Sequence, residues 1–504
     1  MTKSKEMKNK KIILSILIIS LILLSTINTV SAATHIIDST TYSDYFTSSG
    51  TLISSKVSPG DTLKIDDLNG KDMIITEKLI ITSKDSNSIF KNGRITLKSG
   101  ASGSTIKDLT MRGSTTPILL DNSKNNKITG NDIKISKSGT SKYSTIVGIA
   151  LQYASSSNTI SGNSISVTGT GTTSCAYGIS VLPFKFDPWS TSSLGPGSQS
   201  NTISGNSIKV TSDWYADGIY ISQSSYNHIT SNTINLDAKS FVYGIVVEHY
   251  EGFLSGGATK TTGNVLRNNK IYGKGSMVYL IESFQAAGTT ATGNTLSGDG
   301  NGVYGYAGYN AEGDTVSNNA ISAKGTDISK ITGNSDAIKS GQAGIYYNSG
   351  SSKNTIDSNS ITSTYQKGGD YAVVMEGSNN KITNNYLISN NNLKQAVQAI
   401  QNLGKNNIIS GNTPSSKNKT NSSSSSSDDS SIGSGSSDDD STVGTNTGAA
   451  TTGGKGKKGA YQVSKDGQSN DESSESSPLA SIGFAIVLMV LLYLGYSIRE
   501  RIEP

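Results

Sequence analysis

The sequence predicts an all-β protein, a single-stranded parallel β-helix, on three observations. A short apolar strand, usually opened by glycine, recurs as Val147-Gly-Ile-Ala-Leu151, Tyr177-Gly-Ile-Ser-Val181, Asp217-Gly-Ile-Tyr-Ile221 and Tyr243-Gly-Ile-Val-Val247. Each strand is followed by an N-x-I-x-x-N-x-I stretch, as in Asn158-Thr-Ile-Ser-Gly-Asn-Ser-Ile165 and Asn227-His-Ile-Thr-Ser-Asn-Thr-Ile234. Isoleucine alternates with small polar residues, which is a strand period and not a helical one. A unit this short cannot bury its own face, so neighbouring units must stack.

Ten such units lie between residues 115 and 412, spaced 24 to 42 residues apart. Their first inward residues read Ile118, Ile149, Ile179, Ile219, Ile245, Val278, Val303, Ile345, Val373 and Val397. The partners after the first asparagine read Ile128, Ile160, Ile203, Ile229, Leu266, Leu296, Val316, Ile356, Ile382 and Ile408. Ten coils at ~4.8 Å give a rod of about 48 Å. The repeat asparagines are expected at the bends, where asparagine tolerates the left-handed conformation. Stacked coil on coil, their amides can hydrogen-bond along the axis as a ladder.

The ends predict location. Residues 1–32 combine five lysines, an apolar run from Ile12 to Leu24 and the small residues Val30-Ser31-Ala32, the anatomy of a cleaved signal peptide. Residues 33–114 are expected to hold an N-terminal cap and the first coils. The Ser/Asp/Gly-rich stretch 413–477 cannot bury a core and reads as a disordered stalk. It contains two glycosylation sequons, at Asn418 and Asn421. Residues 478–497 are an uncharged apolar run that reads as one transmembrane helix, and Arg499 and Arg501 place the tail 498–504 in the cytoplasm. The expectation is a single-pass type I protein of the cell membrane with its bulk outside.

Composition narrows the function. Charged residues make up 16% of the chain, and most of the formal +5 sits in the first eleven residues, which leaves no basic footprint for nucleic acid. One cysteine excludes an intramolecular disulfide framework, and three histidines argue against a metal centre. No cofactor is expected.

The pairing of Gly-Ile strands with N-x-I-x-x-N-x-I resembles the parallel β-helix repeats of the NosD-like and pectate-lyase-like superfamily. The stretches Val57-Ser-Pro-Gly-Asp-Thr-Leu63 and Met73-Ile-Ile-Thr-Glu-Lys-Leu-Ile-Ile-Thr82 are similar to the β-helix entry of archaeal adhesin-like surface proteins. The resemblance implies a right-handed β-helix at the cell envelope and transfers no catalytic residue. Copper handling, which the NosD likeness would suggest, lacks methionine and histidine ligands. Asp217-Gly-Ile also resembles the Asp-Gly-Ile of polygalacturonases, but their Gly-His-Asp and Arg-Ile-Lys partners are absent.

The candidate site follows from the corners. Seven coils pass from strand to N-x-I partner in 9 to 13 residues, whereas those starting at Ile179, Ile245 and Val278 take 24, 21 and 18. The extra residues, around Leu182–Ser198, His249–Thr262 and Ser283–Ala291, should emerge at one corner, where solenoids carry their working face. They and their neighbours hold Phe184, Phe186, Asp187, Trp189, Trp214, His249, Tyr250, Glu251, Phe253 and Phe284, a set suited to packing sugar rings and hydrogen-bonding hydroxyls. A packed cover made by the loops' own aromatics is the bland alternative. Glu248 and Glu282 end successive strands and in register would lie roughly 5 Å apart, a spacing fit for acid/base work. With Asp217 they are the candidate catalytic residues, although Glu376 fills the same slot in a coil without an insertion. The expected function is adhesin-like binding of glycan or neighbouring cells. The alternatives are a polysaccharide lyase or glycoside hydrolase at the same face, or a passive envelope spacer.

Overall fold

The computed structural model describes residues 32–138, 144–171, 174–183, 197–249, 260–327, 343–367, 371–389 and 399–414. Nearly all of the segment read as a signal peptide, the apolar run 478–497, both sequons and nearly all of the Ser/Asp/Gly-rich stretch lie outside them. Among the described residues no helix is long and apolar enough to cross a membrane.

The described chain is a parallel β-helix in which every named strand pair is parallel. One face, here the asparagine sheet, stacks fourteen strands from Thr34–Ile37 to Ile408–Ser410. At ~4.8 Å per strand that sheet runs about 62 Å. Four of its strands precede residue 115, so the entry region is built of genuine coils. A middle sheet includes Ser164–Thr170, Ser207–Ser212 and Thr233–Ala238, and a third includes Ser174–Val181, Tyr215–Ser222 and Phe241–Glu248. These two merge where Lys270–Phe284 and Thr295–Tyr309 continue unbroken round the corner. The last strand, Thr413–Pro414, pairs with Tyr386 and Leu387 and carries the solenoid two residues past the expected boundary.

Inward residues form columns along the axis. Ile118, Ile149, Ile179, Ile219 and Ile245 stack in register, each fully buried. The column then passes through Ile281, Tyr306, Ile345, Val373 and Ile400, not through Val278 and Val303 as expected. Val278 and Val303 stack instead on Val242, three residues earlier in the strand, and Val397 lies outside the described residues. In the asparagine sheet, Ala291 and Ile409 replace the expected Leu296 and Ile408. Leu296 belongs to the middle sheet beside Ile271, and Ile408 is exposed.

The repeated glycine has a steric cause. A Cβ placed on Gly218 would stand 2.6 Å from Ile234 Cγ2, and one on Gly244 would stand 2.7 Å from Ile271 Cγ2, across the core. In the next coil Leu280 takes the glycine's place, and the opposing strands compensate with Gly273 and Gly298, whose added Cβ atoms would meet Leu280 at 3.0 and 3.5 Å. Core volume is conserved while its source changes sheets.

The asparagines form two ladders. In one, the amide of Asn131 donates to Asn163 Oδ1 at 2.9 Å, and the same link continues through Asn206, Asn232, Asn269, Asn294, Asn319, Asn359 and Asn385 to Asn412. Each Oδ1 also accepts the preceding asparagine's backbone N–H, and Nδ2 also reaches a carbonyl, as Asn232 Nδ2 does to Ile203 O. These buried amides are thereby satisfied, which is what lets polar groups line a core. The left-handed backbone falls on the residue before each ladder asparagine, not on the asparagine itself: Gly130, Gly162, Gly205, Ser231 and Asn268 have φ of 66°, 62°, 63°, 57° and 55°.

The other ladder runs Asn126, Asn158, Asn201, Asn227 and Asn264 and is then interrupted by Thr289 and Asp314. Asp314 is fully buried. Its carboxylate accepts the Thr289 backbone N–H at 3.0 Å and the Tyr306 hydroxyl at 2.8 Å. Its own backbone N–H donates to Asn354 Oδ1.

Candidate functional site

Strand alternation turns the residue before each repeat glycine outward, and in the third sheet that residue is repeatedly tyrosine or aspartate. Tyr177, Asp217, Tyr243, Tyr279 and Tyr304 form one outward column. Beside it run Ser180, Tyr220, Val246, Glu282, Ala307 and Tyr346, and then Ser222, Glu248, Phe284 and Tyr309. This outer face is here called the tyrosine face.

Its rings stack along the axis. Tyr215 lies parallel to Tyr243 at 6.0 Å, Tyr243 to Tyr279 at 5.1 Å, and Tyr279 to Tyr304 at 5.3 Å. Tyr304 continues to Tyr346 at 5.3 Å. Trp214 meets Tyr215 edge-on at 4.3 Å, and Phe284 approaches Tyr309 at 6.3 Å. Tyr279 and Tyr304 are buried, whereas Tyr220, Tyr243, Phe284 and Tyr309 remain half-buried and offer ring surface.

Three carboxyls sit among these rings. Glu248 and Glu282 are not side by side: Glu248 pairs in register with Phe284, and Glu282 pairs with Val246, two residues back along the strand. The expected pairing fails because Lys270–Phe284 lacks the phase-marking glycine, so that Ile281, not Tyr279, stands above Ile245. The diagonal placement still couples the groups. Burial, then the charge of Glu248, pushes the Glu282 carboxyl up to about 8. Burial raises Glu248 as well, partly offset by the Tyr220 hydroxyl, which donates to Glu248 Oε2 at 2.7 Å. Asp217, only 4% exposed, is held well above the carboxylate range by burial, then by Glu282 and Glu248. Around neutral pH the face therefore carries less negative charge than three ordinary carboxylates would.

The expected insertion at Ser283–Ala291 is not present. Ile281 reaches its asparagine-sheet partner Ala291 in ten residues, the ordinary corner length, and Phe284 is a strand residue of the tyrosine face. The other two long corners are confirmed by register, from Ile179 to Ile203 and from Ile245 to Leu266. Both leave the ends of tyrosine-face strands, beside Ser222 and Glu248. Phe184, Phe186, Asp187, Trp189, Tyr250, Glu251 and Phe253 lie outside the described residues. His249 is buried where its insertion begins, with its backbone N–H on Phe284 O at 2.8 Å and Nδ1 accepting the Thr261 N–H at 3.3 Å. These two bonds tie the start of the corner to the adjacent coil and to Thr261.

The tyrosines were not singled out in the sequence, although the signal was there in the residue before each repeat glycine. Cys175 shares the face, but burial and then Asp217 push its thiol up to about 12, so it is an unreactive packing residue. Among the described residues no group of three His, Cys, Asp or Glu converges as a metal site. A cleft of about 650 Å³ lined by Tyr42, Phe46, Lys71, Asp72 and Asn92 lies at the N-terminal cap, remote in sequence from the three carboxyls.

No family model matches the chain, and no curated protein matches it. Among solved structures it is similar to the A-module of an Azotobacter vinelandii mannuronan C-5 epimerase, at 12% identity over 71% of this chain and 92% of that one, with a TM-score of 0.39. It is also similar to the catalytic unit of a GH87 α-1,3-glucanase from Streptomyces thermodiastaticus, at 13% identity over 76% and 69%, TM-score 0.45. The Dettilon tailspike protein is similar at 17% identity over 60% and 62%, TM-score 0.33. At these levels the likenesses carry no statement about activity.

Proposed function

We propose that the tyrosine face binds a glycan, and that the chain is an adhesin-like binding protein. The single observation that carries this reading is the half-buried row of Tyr220, Tyr243, Phe284 and Tyr309 set among the Asp217, Glu248 and Glu282 carboxyls. Sugar rings pack their CH faces on aromatic surfaces, and carboxyl and phenol groups hydrogen-bond the hydroxyls. The coil spacing of ~4.8 Å repeats these groups along the axis, which suits an extended polymer. Phe284→Ala and Tyr309→Ala each remove exposed ring surface and are expected to weaken glycan or cell binding about tenfold. Unchanged binding by both variants, with an unchanged circular dichroism spectrum, would move the function off this face.

A second reading, a glycoside hydrolase, is favoured by one feature: Glu282 is held protonated near neutral pH close to Glu248, the pairing of acid and base that glycoside cleavage needs. The two readings separate on Glu248→Gln and Glu282→Gln. A binding protein releases no reducing ends before or after either change. An enzyme releases them, and either substitution stops it.

Surface display is part of the proposal and rests on the basic-apolar start and the apolar run 478–497. Protease treatment of intact cells is expected to remove the β-helix from the membrane fraction. Full protection until the cells are lysed would contradict display.

A further inference from the structure

The ionisable groups of the tyrosine face that can carry charge near neutral pH are all acidic. Within the third-sheet segments 174–181, 215–222, 241–248, 277–284 and 302–309, no outward position is lysine or arginine, while Asp217, Glu248 and Glu282 occupy three of them. Elsewhere several carboxylates have cationic partners: Asp66 with Lys84, Asp121 with Lys98, Asp132 with Arg112, and Glu312 with both Lys260 and Lys353. A second observation is independent of charge. Asp217 is 4% exposed, and none of the described residues hydrogen-bonds its carboxyl. Among the described residues the Ser180 hydroxyl, fully buried on the same face in register with Tyr220, has no hydrogen-bond partner. Buried polar groups held in this way are unfavourable unless a ligand meets them.

We infer that the ligand of this face is a glycan bearing free amino groups, whose ammonium groups meet the Asp217, Glu248 and Glu282 carboxyls while its rings pack on the tyrosines. The inference rests on the glycan-binding reading and names its substrate class. A uronate polymer offers no cation for these carboxyls to pair with, and its carboxylates oppose their ionisation, so it gains nothing from the groups that would hold an amino sugar. An ammonium group beside the carboxyls stabilises their ionised form, so binding must release protons.

Calorimetric titration of the full chain at pH 6 tests this with three oligosaccharides of equal length: a glucosamine oligomer, its fully N-acetylated counterpart and an oligogalacturonate. The glucosamine oligomer is expected to bind at least tenfold tighter than the N-acetylated one, and the oligogalacturonate not at all. The measured heat should change with the ionisation enthalpy of the buffer in the sense of proton release. Asp217→Asn and Glu282→Gln should each reduce the preference for the amino sugar to within about threefold. Equal or tighter binding of the N-acetylated oligomer or of the uronate overturns the inference and leaves glycan binding standing. So does tight glucosamine binding without proton release. Failure of all three oligosaccharides also overturns it, and a negative result on a broad glycan array then removes the binding reading as well.

Discussion

Ile219→Asn is expected to lower the stability of the β-helix by roughly 3–5 kcal/mol. Ile219 is fully buried between Ile179 and Ile245 in the adjacent coils, and its strand lies close enough to Ile234 that Gly218 tolerates no side chain. The substitution removes apolar surface and leaves an amide with no partner. The contrast with Asn232 is instructive. There the same side chain is stabilising, because Oδ1 accepts from Asn206 and Nδ2 donates to Asn269 and to Ile203 O. Position within the coil, and not residue type, decides the sign. Ile219→Val should cost only about 0.5–1.5 kcal/mol. A thermal melt in which Ile219→Asn matches the parent would refute the inward assignment.

Asp314→Asn is expected to stabilise the protein at neutral pH and to leave it unchanged in acid. Asp314 occupies a ladder position otherwise held by asparagines such as Asn264 and Asn354. Burial raises its carboxyl to about 6, against the lowering effects of Tyr306, the Thr289 N–H and Lys260. The unfolded chain ionises near 3.9. Below that value both states are neutral, and Asp314 costs nothing. Between about 4 and 6 the unfolded state gains charge first, so stability falls as pH rises and then levels off, about 3 kcal/mol lower. Asparagine removes that loss and restores an amide to the ladder. Melting curves of parent and variant should coincide near pH 3 and separate by pH 8, with the variant higher. A variant that melts lower at pH 8 would show that the carboxylate's bonds to Tyr306 and Thr289 outweigh its burial.

The fold was legible because its rules are local. Alternation marks Ile219 as inward, and N-x-I-x-x-N marks Asn227 and Asn232 as ladder members. The reading slipped where a coil departs from those marks. At Lys270–Phe284 Leu280 replaces the glycine, so three apolar residues, Val278, Leu280 and Ile281, compete for the column, and the phase was set by the wrong one. At Thr289–Asn294, threonine and alanine stand where asparagine and isoleucine would, which hid a turn and created an apparent insertion.

The site was less legible than the fold. Phe284, Glu248, Glu282 and Asp217 lie on strands of one sheet face, with Trp214 packed edge-on against Tyr215, rather than on insertion loops at a corner. The stacked tyrosines that organise it are not visible in the sequence pattern because their contacts run between residues 25 to 42 apart in neighbouring coils. Tyr243 meets Tyr279 through register, not through sequence proximity. The diagonal offset of Glu248 and Glu282 has the same origin, since one missing glycine shifts the pairing by two residues.

A glycan array probed with the full chain and with the double variant Phe284→Ala/Tyr309→Ala tests the glycan-binding claim most directly. The account predicts that the parent retains a defined subset of glycans and that the double variant, with an unchanged circular dichroism spectrum, loses them. A parent that binds no glycan, or a double variant that binds as the parent does, contradicts it.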